Sequence, residues 1–380
     1  MTDTAQARPL AARRHGKALL SRGIARVLHH GAWKFRHYEC VWSMAQKELA
    51  STVRVPVLKR PGLLRRGYLS ESWVLYDLAR NDRRDYLPDY ARFTKTRLIN
   101  GRYSAILDNK LLFDRIVGSR TGVVPHFYGI LENGQLIDVM TDRPSQPAAP
   151  PLIADLRKAG ALVLKPLTGG GGRGIEILRH EDGRFLRNGD PIEESALAAF
   201  MEGCSNYLAC EYLEQHPDLR ALNPDTVNTV RILTMQDDRA DAFIARAILR
   251  IGTRRSAPTD NWTRGGLSAM IDIETGALGP AVSYPDGTDR LIWHAVHPET
   301  QQRIEGTVLP NWDKVRDGVL DVFRHLPVLK YVGWDAVVTE DGYRLLEGNN
   351  YSDVNLLQVH GPLLRDRRVR SFYARHGILA

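Results

Sequence analysis

The chain has 380 residues, a net charge of +8 and an apolar fraction of 43%, ordinary for a soluble globular protein. That length can bury a large core as two or three subdomains. No apolar run approaches the roughly 20 residues that a spanning helix needs, and no secretory core follows Arg13, Arg14 and Lys17. Three cysteines, Cys40, Cys204 and Cys210, have no metal-ligand spacing and read as buried thiols in a reducing cytoplasm. Residues 1–70 hold 14 Lys and Arg against 3 Asp and Glu, leaving 38 against 41 of the chain's 52 and 44 for the rest. A basic N-terminal part over a near-neutral body suits nucleic acid, an anionic membrane surface or an acidic substrate. With no helix-turn-helix, zinc or RNA-binding signature beside it, nucleic acid is not expected. A solvated leader is the favoured reading, with peripheral membrane contact through the basic N-terminus as the alternative.

In chain order, residues 1–15 read as a disordered leader. Lys17 to Ala50 has a helical pattern, with Leu20, Ile24, Val27 and Leu28 on one face. Pro56 and Pro61-Gly62 break it, and Ser70 is the expected N-cap of the next helix. Asp108 is the expected N-cap of a helix carrying Leu111, Leu112, Phe113, Ile116 and Val117. Val123-Val124-Pro125 and Phe127 to Ile130 read as a strand, 143–151 as a proline-rich linker, and Leu152 to Ala159 as a helix.

Next comes Lys165-Pro166-Leu167-Thr168-Gly169-Gly170-Gly171-Gly172-Arg173-Gly174. Ala161 to Leu164 before it and Ile175 to Leu178 after it read as strands. The loop therefore joins two strands. A Walker loop or a dinucleotide fingerprint would open a helix instead. Glycines let backbone N–H groups approach phosphate closely, and a lysine adds a point charge. A loose hairpin turn is the plainer alternative, but a hairpin needs about two turn residues, not six.

A helix is expected from Asp190 to Glu202. Hairpins follow, from Thr229–Thr234 and Ala242–Arg250, then from Leu267–Ile273 and a short partner. A helix spans roughly Trp312 to Leu326. Tyr331–Val338 and Tyr343–Glu347 are joined by Glu340-Asp341-Gly342, a strong hairpin signal. In that last hairpin Glu347 and Asn349 share a strand face, and pairing can bring Asp335 alongside. Two carboxylates and an amide oxygen are hard ligands, suited to magnesium bridging nucleotide phosphates.

Asp335-x11-Glu347-x-Asn349 resembles the metal-binding end of the ATP-grasp superfamily. Lys110 in Asp-Asn-Lys-Leu-Leu-Phe resembles its first phosphate-binding lysine. Lys165 resembles the second, followed by the glycine loop Thr168–Gly172 that closes over the phosphates. Leu208 to Leu213 resembles the hinge that reads adenine, with Glu211, Tyr212 and Leu213 at its end. For the ribose the resemblance leaves Glu214, His216 and Asp218 open, with Asp218 taken forward. The likeness covers about residues 100–365. Tyr68 to Trp73, Gln215-His216, Asn228-Thr229-Val230-Arg231, Asn261 with Gly265-Gly266, and Glu347-Gly348-Asn349-Asn350 resemble, more narrowly, the sugar-transfer associated branch.

The resemblance implies an α+β fold that holds a nucleotide between two α+β subdomains behind a helical N-terminal region. The expected division is 16–100 helical, 101–160 an N-side subdomain, 161–213 the lid and 214–380 the metal-bearing part. It also implies ATP, Mg2+ (or Mn2+), small-molecule carboxylate and amine substrates, and amide-forming ligation. A phosphotransferase acting on a hydroxyl, or a non-catalytic binder of anionic surfaces, are the alternatives. Arg231 is the first candidate for the transferred phosphoryl group or acyl oxyanion, or else forms an ion pair within the sheet. Arg250, with Arg246 on the same face, suits a substrate carboxylate, and Arg173 the γ-phosphate.

Overall fold

The computed structural model describes residues 37–138, 145–167 and 174–379. Residues 37–50 form helix α1, the described part of the helical pattern that begins at Lys17. This stretch belongs to a separate compact unit from Thr52–Ala380.

From Thr52 the chain builds short helices: α2 (Arg60–Leu64), α3 (Ser72–Leu75), α4 (Asp89–Thr94), α5 (Ala105–Asp108) and α6 (Lys110–Phe113). A π-turn at Asp114–Gly118 then leads into α7 (Ser119–Thr121). The two expected caps differ from those observed. Glu71 precedes α3, and the hydroxyl of Ser72 inside it donates to Asp89 at 2.6 Å. Asp108 ends α5, and its neighbour Asn109 caps α6 by accepting the N–H groups of Leu111 and Leu112. Asn109 has the extended backbone a cap requires; Asp108 is already helical.

Eight of the described strands form one antiparallel sheet: β1 (Phe127–Glu132), β2 (Gln135–Ile137), β3 (Gln146–Pro147), β4 (Ala161–Pro166), β5 (Glu176–Glu181), β6 (Arg184–Arg187), β7 (Asp190–Ile192) and β8 (Tyr207–Glu211). Their order is β3-β2-β1-β8-β4-β5-β6-β7. Val123 to Pro125 lie outside β1. Helix α8 (Ala149–Ala159) starts earlier than expected, because Pro150 and Pro151 sit in its first turn, where no N–H partner is needed. Asp190 to Ile192 are strand, not helix; α9 begins at Glu194 and ends at Glu202. Leu152, Ile153 and Leu156 of α8 and Leu197 and Met201 of α9 pack on Leu131, Leu162, Leu164 and Leu178 of the sheet.

After α10 (Pro217–Leu222) a second antiparallel sheet forms from β9 (Thr229–Gln236), β10 (Ala242–Ile251), β11 (Leu267–Ile271), β12 (Leu278–Ser283), β13 (Ile292–His294), β14 (Tyr331–Val338) and β15 (Tyr343–Asn349). The order is β13-β12-β11-β10-β9-β14-β15. Helix α11 (Trp312–Arg324) lays Val315, Val319, Val322 and Phe323 against Val230, Ile232, Trp334 and Ala336. Alternate residues face the other way. There Leu233, Met235, Ile248 and Tyr331 meet Val53 to Ala91 of the N-terminal region, together with α12 (Asn355–Gln358) and α13 (Arg367–Arg375). The buried side chain of Gln358 stitches these parts: it accepts the N–H of Leu87 at 2.7 Å and donates to the carbonyl of Leu87.

Candidate functional site

The second sheet places Arg231, Asp335 and Glu347 in one row. Ile248 of β10 stands opposite Arg231 of β9, Arg231 opposite Asp335 of β14, and Asp335 opposite Glu347 of β15. Residues paired in this way share a face, so the row is a consequence of register. In the next row Gly333 separates Leu233 from Asn349.

Arg231 grips Asp335 with both edges of the fork: Nε donates to Oδ1 and Nη2 to Oδ2, the latter at 2.9 Å. Arg250 Nη1 donates to the same Oδ2 at 3.3 Å, and its Nη2 donates to Asp260 Oδ1. Asp260 Oδ2 in turn accepts the backbone N–H of Thr229 at 2.9 Å. Burial pushes the Asp335 carboxyl up, but the Arg231 charge and hydrogen bond, then Arg250, outweigh it, and it stays below the ordinary carboxylate range. Glu347 is pushed up, by burial first and then by the Asp335 charge; Arg231, Lys110 and Lys165 offset part of this.

Lys110, at the first turn of α6, and Lys165, near the end of β4, line a pocket between the sheets with Phe113, Asp114, Pro125, Leu208, Cys210 and Leu345. Burial lowers the Lys110 pKa, the Glu347 charge raises it and the Lys165 charge lowers it further. Burial pushes the Cys210 thiol up, and the nearby Lys165 charge offsets part of this. Thr168, Gly169, Gly170, Gly171, Gly172 and Arg173 lie outside the described residues. The strands flanking them pair antiparallel, Ala161 with Arg179 through to Leu164 with Glu176.

The hinge residues follow the pocket wall. Glu211 ends β8, and its carboxylate accepts the N–H of His126 at 2.9 Å. Arg179 lies over the Tyr212 ring at 4.4 Å, and Leu213 is buried. Asp218 is exposed in the first turn of α10, 3.6 Å from His216, while Glu214 faces Arg220 at 3.4 Å. None of Glu214, His216 and Asp218 lines the pocket. Arg246 donates to the carbonyls of Leu357 and Gly361 at 3.1 and 2.8 Å, so it ties down the chain after α12.

A divalent cation fits part of the proposed ligand set. Asn349 Nδ2 donates to the Gly333 carbonyl at 3.2 Å and to Glu347 Oε1 at 3.3 Å, which leaves its amide oxygen for a hard cation. Glu347, pressed by a second carboxylate, gains from a cation beside it. Asp335 has both oxygens in guanidinium contacts and would join by exchanging one of them. Among the described residues no group of three or more His, Cys, Asp or Glu could hold a metal, so such a site needs the amide.

Sequence reasoning missed Asp114, Asp260 and Asp353. Asp114 stands four residues after Lys110, a helical spacing that puts both on one side. Asp353 lies within charge reach of Arg231 and pairs with the buried Arg92. Nothing in the local pattern marks Asp260 or Asp353, because their partners are distant in sequence.

Comparison with curated proteins yields no match. Among solved structures the chain is similar to N5-carboxyaminoimidazole ribonucleotide synthetase from Thermotoga maritima (11% identity, TM-score 0.36, 71% of this chain and 51% of that one). It is also similar to biotin carboxylase from Campylobacter jejuni (12%, 0.40, 70% and 47%) and to D-alanine–D-alanine ligase from Bacillus anthracis (14%, 0.34, 72% and 63%). The chain spans about half the length of the first two. The model of one family, described as sugar-transfer associated ATP-grasp, matches residues 91–371, nearly three quarters of the sequence. By that match the chain belongs to the sugar-transfer associated ATP-grasp family and has the ATP-grasp fold.

Proposed function

We propose that the protein is an ATP- and magnesium- (or manganese-) dependent ligase that activates a small-molecule carboxylate as an acylphosphate and couples it to an amine. The observation that carries this reading is that Lys110 and Lys165 line one pocket, with Glu347, which pairs across the sheet with Asp335 of the Arg231–Asp335 pair, within charge reach of both. The lysines supply point charges for phosphate oxygens. Magnesium, when bound, neutralises phosphate charge and fixes the orientation of the transferred group. Glu347 and Asn349 would hold it, with Asp335 as the third ligand.

In the first step a carboxylate oxygen attacks the γ-phosphorus, and the bond to the β-bridging oxygen breaks, releasing ADP. In the second the amine attacks the acyl carbon, phosphate leaves with the former carboxylate oxygen, and the nitrogen loses its proton. Arg231 and Arg250, held by Asp335 and Asp260, stabilise the developing oxyanion. Glu211, Tyr212 and Leu213 border the adenine, Asp218 meets the ribose, and the glycine loop with Arg173 closes over the phosphates. The product serves glycan or natural-product biosynthesis, a reading supported by the sugar-transfer association in the family description. The three buried free thiols suit the cytoplasm. No helix among the described residues is long and apolar enough to cross a membrane.

Incubation with ATP, magnesium and panels of acids and amines tests the proposal. Phosphate release that requires both substrates and yields an amide supports it. A phosphorylated acceptor formed without any amine overturns it in favour of phosphotransfer.

A further inference from the structure

The N-terminal region carries a surface that the nucleotide site does not use. Between Glu48 and Glu71 the sequence has no Asp or Glu, but it holds Arg54, Lys59, Arg60, Arg65 and Arg66. The segment is firmly seated. Val53, Val55 and Leu63 point into the core shared with α12 and α13. The N–H of Arg54 donates to the Thr288 carbonyl at 2.8 Å, and Tyr68 donates its hydroxyl to the carbonyls of Arg83 and Tyr86.

With those residues inward, three aliphatic side chains are forced outward. Val57 is 77% exposed, Leu58 94% and Leu64 42%. Pro56 and Pro61 beside them are also exposed, and so are Arg54, Lys59, Arg65 and Arg66. Among the described residues none of the five cations is in an ion pair. Lys59 lies 4.9 Å above the Trp73 ring, and Arg66 turns back to the Gly62 carbonyl at 2.7 Å. The result is a rigid knob of leucine and valine ringed by unneutralised positive charge.

We propose that this knob, residues 54–66, docks the protein on an anionic bilayer surface. The two halves of the patch ask for the same partner. Each cation near an anionic leaflet adds to the attraction. The aliphatic tips enter the headgroup boundary, where burying apolar surface is favourable. A nucleic acid or a soluble polyanion satisfies the charges but leaves Val57 and Leu58 in water, so lipid is the better match. The seated backbone adds to this, because little ordering entropy remains to be lost on docking.

The test uses the full chain and phosphatidylcholine vesicles with and without phosphatidylglycerol, read by co-sedimentation. Binding to the anionic vesicles is expected, with none to the neutral ones. The pair Val57→Ser and Leu58→Ser should weaken it about tenfold, and Lys59→Ala with Arg65→Ala and Arg66→Ala by at least as much. A dye on Leu58→Cys should report an apolar environment only with anionic vesicles; the native thiols are buried. Retained ATP turnover shows that each variant still folds. Undiminished vesicle binding by both sets of variants assigns the membrane contact to the basic leader and overturns the proposal. Binding to polyphosphate or RNA that matches vesicle binding and ignores the serine substitutions overturns it too.

Discussion

Arg231 and Asp335 face one another on adjacent strands and close a two-point guanidinium–carboxylate pair inside the second sheet. Both are almost fully buried. A buried charge without its partner typically costs about 3–5 kcal/mol, whereas replacing the whole pair with apolar groups is often neutral. Asp335→Leu and Arg231→Met should therefore each destabilise the protein by roughly that amount in denaturant titrations. The double variant should recover a large part of the loss and remain inactive. Additive losses would show that the two residues act separately.

The pocket lysines should separate binding from folding. Lys165→Ala is expected to weaken ATP binding at least tenfold in calorimetry while leaving the thermal midpoint within a few degrees, as one lost charge-assisted contact implies. Lys110→Ala should behave similarly, because the two lysines line the same pocket. Nucleotide affinity equal to that of the parent protein would remove these residues from the phosphate site.

Gly348 lies between Glu347 and Asn349, the proposed metal ligands, and its place is crowded. A Cβ there would come within 2.8 Å of Leu107 and 3.0 Å of Phe113. Gly348→Ala should cost about 1–3 kcal/mol by overpacking. It should also lower turnover by more than the stability loss explains, since any relief moves β15. Magnesium dependence measured on this variant should shift to higher concentration; an unchanged metal requirement would mean that β15 absorbs the methyl group without moving its ligands.

His360 gives a pH signature away from the nucleotide site. Burial first, then the positive charge of Arg246, pushes its pKa down to about 3. Its ring bonds the Ser268 hydroxyl at 2.8 Å and packs edge-on against Trp293. The unfolded chain takes up this proton near pH 6.5 and the folded one only near pH 3. Its contribution to stability is thus fully present above about pH 6.5 and is lost progressively as pH falls towards 3. His360→Gln should flatten that part of the acid limb in denaturation midpoints followed against pH. An unaltered slope would contradict the buried neutral imidazole.

What could be read beforehand was mostly local. The Glu340-Asp341-Gly342 turn sets the pairing from Val338 with Tyr343 to Ala336 with Leu345, and the strands around Lys165 follow from their apolar runs; the bulge that then brings Asp335 opposite Glu347 has no mark in the sequence. Arg231 was visible as a residue but not its partner, because β14 pairs with β9 across about a hundred residues of intervening chain. The caps failed for a different reason. Ser70 and Asp108 have suitable side chains, but the turns begin one residue later, where the backbone is set by packing against Asp89 and β15. Asp190 was drawn into a helix by its neighbours' pattern, while pairing of β7 with β6 took it as strand.

The family match begins at residue 91, yet Val53 to Leu87 supply much of the apolar layer under α12 and α13, and Gln358 completes the hydrogen bonding of Leu87. A cut at the edge of the recognised region would therefore pass through the middle of a core. It would leave Leu357, Phe372 and Tyr373 facing water and would loosen the strand face that bears Arg231. Residues 52–90 lie in the same compact unit as the matched region, and losing them should cost that region its solubility before it costs any chemistry.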